Sequence, residues 1–254
     1  MSEGHQYAFS VVIPAFNEAD RLPQTLEQID RFFLENEDLG PAEIVVVDDG
    51  SKDGTSDVAT SFQTSCRVVV NLLRHPHNLG KGAAVRTGFG RSRGQWVLLS
   101  DADLAAPIEG LHRLISVSGH SNVVVGSRAL DRSLLLNPQP LYRDLMGRIF
   151  NFLVRALLLP GIYDTQCGFK LFPGPIARAL AKTQRLDGFA YDVELLAVSR
   201  SWGLKILEVA VPWGHVEASR VLPGRHSAQM FRDLLIITLR RWTRALPPKP
   251  PRGV

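Results

Sequence analysis

The chain has 254 residues, 45% apolar and 21% charged, enough for one large α/β domain or two small ones with a real core, which excludes a disordered tail protein. Two cysteines, Cys66 and Cys167, exclude a disulfide scaffold, match no CxxC or His–Cys metal spacing and fit a reducing compartment. The formal net charge of +4 hides an asymmetry: residues 1–127 hold 10 Lys and Arg against 16 Asp and Glu, and residues 128–254 hold 19 against 9.

The first half alternates strand and helix. Phe9–Ile13 is a β-branched run ended by Pro14, and Leu22–Leu34 carries Leu22, Leu26, Ile29 and Phe33 at helical spacing. Glu43–Val47 is an apolar strand running into Asp48-Asp49-Gly50. Thr55–Phe62 reads as a helix, Val68–Leu73 as a strand, Lys81–Phe89 as a helix and Trp96–Ser100 as a strand ending in Asp101-Ala102-Asp103. Pro107–Val117 is a helix with proline well placed at its start, and Val123–Val125 a strand. Strands apolar throughout are buried on both faces, so the fold class is α/β, a mostly parallel central sheet flanked by helices. Ligands bind such sheets beyond the carboxyl ends of the strands, where Pro14–Glu18, Asp48–Ser51 and Ser100–Asp103 form a polar rim.

The second half is less regular. Leu141–Leu159, Tyr191–Trp202 and Met230–Arg244 read as helices, Gly168–Phe172 and Lys205–Val211 as strands, and Gly214–Gly224 as a basic loop. Residues 1–244 form one domain, an acidic half (1–127) and a basic half (128–244). The Pro-rich tail, 245–254, reads as a mobile extended end. The charge split suggests a metal or donor on one side and phosphate or an anionic surface on the other; surface solubility charge is the competing reading. No stretch reaches the ~20 apolar residues of a spanning helix. Met1–Ser10 has no signal-peptide pattern.

Three familiar loops fall away. Gly88-Phe89-Gly90 ends a helix before a strand, the reverse of a dinucleotide fingerprint. Gly80-Lys81 lacks the rest of a P-loop. Asp49–Gly54 would place Thr60 where a calcium loop needs a bidentate Glu. Asp101-Ala102-Asp103 is different: two carboxylates one residue apart at a strand end can present hard oxygens to one Mg²⁺ or Mn²⁺, whose remaining shell comes from water and substrate phosphates. Asp48 can accept hydrogen bonds from a nucleobase or ribose, while Asp53-Gly54-Thr55 is a turn and helix cap. His75-Pro76-His77 reads as a solvated loop.

Pro14-Ala15-Phe16-Asn17-Glu18, Val47-Asp48-Asp49-Gly50-Ser51, Asn78-Leu79-Gly80-Lys81-Gly82 and Asp101-Ala102-Asp103 stand in the order and spacing of glycosyltransferase family 2, which the chain resembles to about Arg241. Asp164–Phe172 and Tyr191–Leu196 are similar to the branch that moves glucose from UDP-glucose to dolichyl or other polyprenyl phosphates, a relative of the GDP-mannose enzymes. The resemblance implies the GT-A fold and these roles: Pro14, Ala15, Asn17, Glu18, Asp48, Lys81 and Asp101 on the donor; Asp101 and Asp103 on the metal; Arg128, Arg143 and Arg220 on the acceptor phosphate. Asp164 is an orienting group or base, or a turn residue. Glu194 is a sugar ligand or part of a solvated face. Ala105 stands where the mannose enzymes carry a metal-binding Gln, Phe16 replaces a frequent Tyr, and the N-terminal membrane helix of the eukaryotic branch has no counterpart.

The implied reaction is an inverting, Mg²⁺- or Mn²⁺-dependent transfer. A phosphate-monoester acceptor, with a second pKa near ~6, needs cations to position it rather than a strong base. Other readings are a soluble acceptor, a GDP-mannose donor, or a non-catalytic nucleotide-sugar-binding protein. The implied partners are a nucleotide sugar, a lipid phosphate and a membrane surface, with no nucleic acid, on a cytoplasmic protein peripherally bound to the membrane. For that contact, Leu141, Leu145, Ile149, Phe152, Ala156 and Leu159 share one side of a helical wheel, widened by Tyr142, Met146, Phe150, Leu153 and Leu157. This suits a helix lying in an interface and equally a helix covering a sheet.

Overall fold

Val11, Val12 and Ile13 are all fully buried although successive side chains of a strand point to opposite faces. The strand that carries them must therefore be covered on both sides. The computed structural model describes residues 6–119, 122–137, 141–214 and 225–249. Its elements in chain order are β1 (Tyr7–Ala15), α1 (Leu22–Glu35), β2 (Ala42–Asp48), α2 (Thr55–Ser65), β3 (Val69–Arg74), α3 (Lys81–Arg91), β4 (Gly94–Leu99), α4 (Leu111–Ser118), β5 (Val123–Ser127), β6 (Leu135–Asn137), α5 (Leu141–Leu157), β7 (Lys170–Pro173), α6 (Gly174–Thr183), α7 (Tyr191–Ser201), β8 (Ile206–Ala210), β9 (Trp213–Gly214) and α8 (Arg225–Trp242).

Seven strands form one sheet in the order β3-β2-β1-β4-β7-β5-β8. All pairs are parallel except the two made by β7, which runs antiparallel between β4 and β5. The mostly parallel expectation holds, and the reversed strand is a refinement that local pattern did not contain. Alternate residues feed two cores. Val12, Val45, Val47, Val97 and Leu99 pack with Phe89 of α3, Leu180 of α6 and Leu196 of α7. Val11, Ile13, Ile44, Val46 and Leu98 pack with Leu26 and Ile29 of α1 and Leu111 and Leu114 of α4. Each such fully buried side chain contributes roughly 1.5–3 kcal/mol relative to exposure. β6 and β9 make a separate two-stranded ribbon.

Several expectations change. α6 was not anticipated, because Gly174 and Pro175 look like a break; the pair instead opens the helix, where proline loses nothing. His75 is not solvated: it is buried, with Nδ1 2.7 Å from Asp49 and Nε2 3.0 Å from Thr87. The tail is not wholly loose, since the Trp202 indole donates to the Pro247 carbonyl at 2.9 Å and Leu246 packs on the core. The apolar face of α5 divides in two. Phe150 and Val154 are buried, while Leu145, Met146, Ile149 and Phe152 are 42–59% exposed. On α8, Leu235, Leu239 and Trp242 are also more than half exposed. Among the described residues, no helix is long and apolar enough to cross a membrane.

Candidate active site

The parallel strands β1, β2 and β4 end on one edge, so the loops after them meet. The first two are laced by hydrogen bonds. The Asn17 amide donates to Ser51 Oγ at 2.9 Å, the Lys52 amide returns to Asn17 Oδ1 at 2.9 Å, and the Glu18 amide donates to Thr55 Oγ1 at 2.8 Å. Asn17 adopts a left-handed backbone (φ 56), which Asn tolerates better than most residues. Asp53 accepts from the amides of Ala19 and Thr55, the turn-and-cap role expected of it. Asp48 is fully buried and turned into its own loop, accepting from the Ser51 amide at 2.8 Å and from the Ser56 hydroxyl. Asp49 reaches across to accept from the Leu79 and Gly80 amides at 2.9 and 2.8 Å. These contacts set the loop that leads into α3.

Lys81 opens α3, and its backbone is fixed from both sides. The Gly82 amide donates to the Asp187 carbonyl at 2.8 Å. Gly80 has φ 108, and a Cβ on it would lie 2.3 Å from that same carbonyl, so only glycine permits the approach. The Lys81 ammonium meets Asp101 Oδ1 at 2.6 Å. Burial would lower the Lys81 pKa, but Asp101, Asp192 and Asp103 together hold it above its ordinary value. Burial would likewise raise Asp101, yet Lys81, with Lys170 and Arg128, keeps it below the usual carboxylate range. Asp103 is pushed up, by burial and by its neighbour Asp101. It accepts from the Ala105 amide at 3.1 Å and has Arg21 at 3.9 Å.

Two more acid–base pairs stand around this carboxylate pair. Arg128, at the end of β5, forks onto Asp164 with bonds of 2.7 and 2.8 Å, its amide adding a third at 3.0 Å, and its guanidinium lies 5.2 Å from the Trp213 ring centroid. Burial opposes ionisation of Asp164, but Arg128 wins and holds its carboxyl low. The bidentate contact fixes the Arg128 side chain against Asp164. The other pair is Lys170, fully buried, which bonds Asp192 at 2.6 Å and the Cys167 carbonyl at 2.5 Å. The Cys167 thiol is pushed up to about 12 by burial and by Asp164, which removes it as a nucleophile.

Of the residues singled out in the sequence, Asp101, Asp103, Lys81, Arg128 and Asp164 come together electrostatically. Pro14, Ala15, Asn17, Glu18 and Asp48 line the neighbouring strand ends. Arg220 lies outside the described residues, as does the side chain of Arg143 on α5. Glu194 is neither a sugar ligand nor a solvated group. It is fully buried, accepting from the Arg185 and Leu186 amides at 3.0 and 2.8 Å and from Arg240 at 2.6 Å. Lys170 and Asp192 were missed, though a lone cation inside the apolar run 168–172 was a signal, since a buried charge must find a partner. A groove of about 530 Å³ between α3 and α6, edged by Arg86, Arg91, Arg178 and Lys182, shares no residue with this constellation.

For a divalent ion the donor set is partial. Asp101 and Asp103 supply hard oxygens suited to Mg²⁺ or Mn²⁺, but among the described residues no group of three or more His, Cys, Asp or Glu converges. Ala105 adds no side-chain ligand. The pair fits an ion that takes the rest of its shell from water and donor phosphates.

Residues 10–179 match the family model for Glycosyl transferase family 2. The chain belongs to that family. A dolichyl-phosphate beta-glucosyltransferase of Homo sapiens is 37% identical over 247 residues, covering 93% of this chain and 76% of the human one. The Dictyostelium discoideum protein of the same description is 37% identical over 243 residues, covering 91% and 74%. Among solved structures, glucosyl-3-phosphoglycerate synthase from Mycobacterium tuberculosis, in complex with Mn²⁺, UDP-glucose and phosphoglyceric acid, aligns with a TM-score of 0.63 at 20% identity, covering 98% of this chain and 82% of that one. At that identity the likeness is one of fold, the GT-A arrangement. In this family 2 glycosyltransferase the Asp101–Asp103 pair stands just beyond the end of β4.

Proposed function

We propose that this glycosyltransferase moves glucose from UDP-glucose to the phosphate of a polyprenyl lipid such as dolichyl phosphate, with inversion at the anomeric carbon. The observation that carries the reading is the meeting of the Asp101–Asp103 pair and Lys81 with the forked Arg128–Asp164 pair, in a chain 37% identical to dolichyl-phosphate beta-glucosyltransferases. Pro14, Ala15, Asn17, Glu18 and Asp48 form the nucleoside side and Lys81 faces the diphosphate. Asp101 and Asp103 would hold Mg²⁺ or Mn²⁺, which when bound neutralises charge developing on the leaving diphosphate.

Arg128, kept in place by Asp164, positions the acceptor phosphate, and Arg143 and Arg220 complete that role. One acceptor oxygen attacks the anomeric carbon, the bond to the diphosphate oxygen breaks, and its electron pair leaves with UDP. The acceptor is already a dianion near neutral pH, so no side chain need take a proton. The exposed apolar residues of α5 and α8, flanked by Arg148, Arg155, Arg232 and Arg241, would rest on the membrane surface that holds the lipid.

Radiolabelled UDP-glucose, Mn²⁺ and polyprenyl-phosphate vesicles supply the test. Label partitioning into organic solvent in an acid-labile product supports the reading. Label that stays in water while UDP is released, or transfer only from GDP-mannose, overturns it.

A further inference from the structure

Asp101 has two carboxylate oxygens, and its side chain is 30% exposed. Oδ1 carries the Lys81 ammonium at 2.6 Å. The whole carboxylate lies close to Gly168, where a Cβ would sit 2.0 Å from Oδ2 and 2.5 Å from Oδ1. A metal ion that approaches Asp101 therefore meets an ammonium already paired to the carboxylate, and must share that carboxylate with Lys81 or displace it. Resting on the reading of Asp101 and Asp103 as the donor's metal carboxylates, we propose that Lys81 is an exchangeable counter-ion. It competes with a free divalent cation for Asp101 and yields the carboxylate more readily to a cation that arrives with the donor's diphosphate.

Three features support the exchange. The first is mobility: the Lys81 and Asp101 side chains are 27% and 30% exposed, and an ammonium on a four-carbon stem can swing, whereas the Arg128 fork is held by two bonds. Its backbone cannot follow, being tied at Gly80 to Asp49 and at Gly82 to Asp187, so the movement is confined to the side chain. The second is the thin donor set. With Ala105 after the pair and no third acidic or imidazole ligand converging among the described residues, a bare ion would gain Asp103, whose Oδ2 has Arg21 only at 3.9 Å, and a contested Asp101. The third is charge. The diphosphate of a nucleotide sugar carries one negative charge per phosphate, shared over its oxygens, so that a dication and such a donor enter as a neutral pair. The bare dication instead leaves Lys81 displaced with no anion to meet. With the donor present, the released ammonium has the diphosphate itself as its new partner.

The test is Mn²⁺ binding followed by electron paramagnetic resonance on the full chain, with and without UDP, so that no turnover is read. Without UDP, Lys81→Met is expected to bind Mn²⁺ at least about tenfold more tightly than wild type, with Lys81→Arg as weak as wild type. Adding UDP is expected to raise wild-type Mn²⁺ affinity strongly and that of Lys81→Met much less. Lys81→Gln, which keeps an amide donor but no charge, should follow Lys81→Met and serves if the latter is unstable. A Lys81→Met or Lys81→Gln protein no tighter than wild type without UDP overturns the exchange, as does a Lys81→Arg protein that behaves like Lys81→Met. Asp103→Asn separates the levels: if it binds Mn²⁺ with UDP as wild type does, the carboxylate reading falls and takes the exchange with it.

Discussion

Asp103 and Asp53 are both acidic loop residues of the acidic half, yet they do different work. Asp53 is spent on the Ala19 and Thr55 amides, whereas Asp103 keeps one oxygen with only Arg21, at 3.9 Å, near it. Asp103→Asn is therefore expected to abolish transfer and nearly all Mn²⁺-dependent UDP binding. Asp53→Asn should lower stability by about 1 kcal/mol and leave binding intact, both read by titration calorimetry and melting. Asp164 yields a pH prediction. Its carboxyl titrates lower in the folded protein than in the unfolded chain, where it would titrate near about 3.9. The stabilisation is thus complete above that value and is lost as pH falls through the folded one. Asp164→Asn should cost about 3 kcal/mol near neutral pH by leaving Arg128 without its carboxylate, and the gap to wild type should begin to narrow only below about pH 4 in denaturant titrations. Gly168→Ala would drive a methyl into Asp101. Expected are a loss of roughly 1–3 kcal/mol in stability and weaker Mn²⁺–UDP binding, whereas Gly147→Ala, with open space at its Cβ, should show neither.

At the level of elements, the core takes up only part of the apolar stripe of α5. Phe150 packs edge-on against Phe231 of α8 with ring centroids 5.7 Å apart, and Val154 is fully buried. Leu145, Ile149 and Phe152 remain 42–59% exposed, with the Arg155 guanidinium 5.9 Å from the Phe152 ring centroid. Their exposure is costly in water and favourable at a lipid interface. Replacing both Ile149 and Phe152 with Asp should leave the melting temperature nearly unchanged and abolish flotation with anionic vesicles. Phe150→Ala should do the reverse, with a stability loss of about 3–5 kcal/mol. Wild-type protein that never floats would remove the interfacial role from α5.

For the whole molecule, the charge asymmetry now has a geometry. The acidic half supplies β1 to β4 and the carboxylate pair, and the basic half supplies Arg128, α5 and α8. Each basic residue near an anionic bilayer adds an attraction of about 1 kcal/mol, which acts over a screening length of about 10 Å at 0.1 M salt and only about 3 Å at 1 M. Flotation on anionic vesicles should therefore fall steeply between those salt concentrations, while flotation on neutral vesicles containing polyprenyl phosphate falls less. Equal loss on both would place the salt dependence in the phosphate site rather than at the membrane surface.

The strands β1, β2 and β4, the polar rim at their ends and the Asp101–Asp103 pair were legible in the sequence. Each is written locally: an apolar run of strand length, a turn, two carboxylates one residue apart. The family motifs are local too. What the tertiary structure decided involves partners far apart in the chain. β7 inserts antiparallel between β4 and β5, and this brings Gly168 onto Asp101 and sends Lys170 into the interior, where Asp192 pairs with it. His75 is drawn inside by Asp49 and Thr87, and Glu194 by Arg240 and two loop amides. Periodicity reports which face of an element is apolar. It carries no record of which polar group waits on the opposite element, because that depends on how the chain closes on itself. A buried charge is therefore readable as a demand for a partner, but only packing names the partner that meets it.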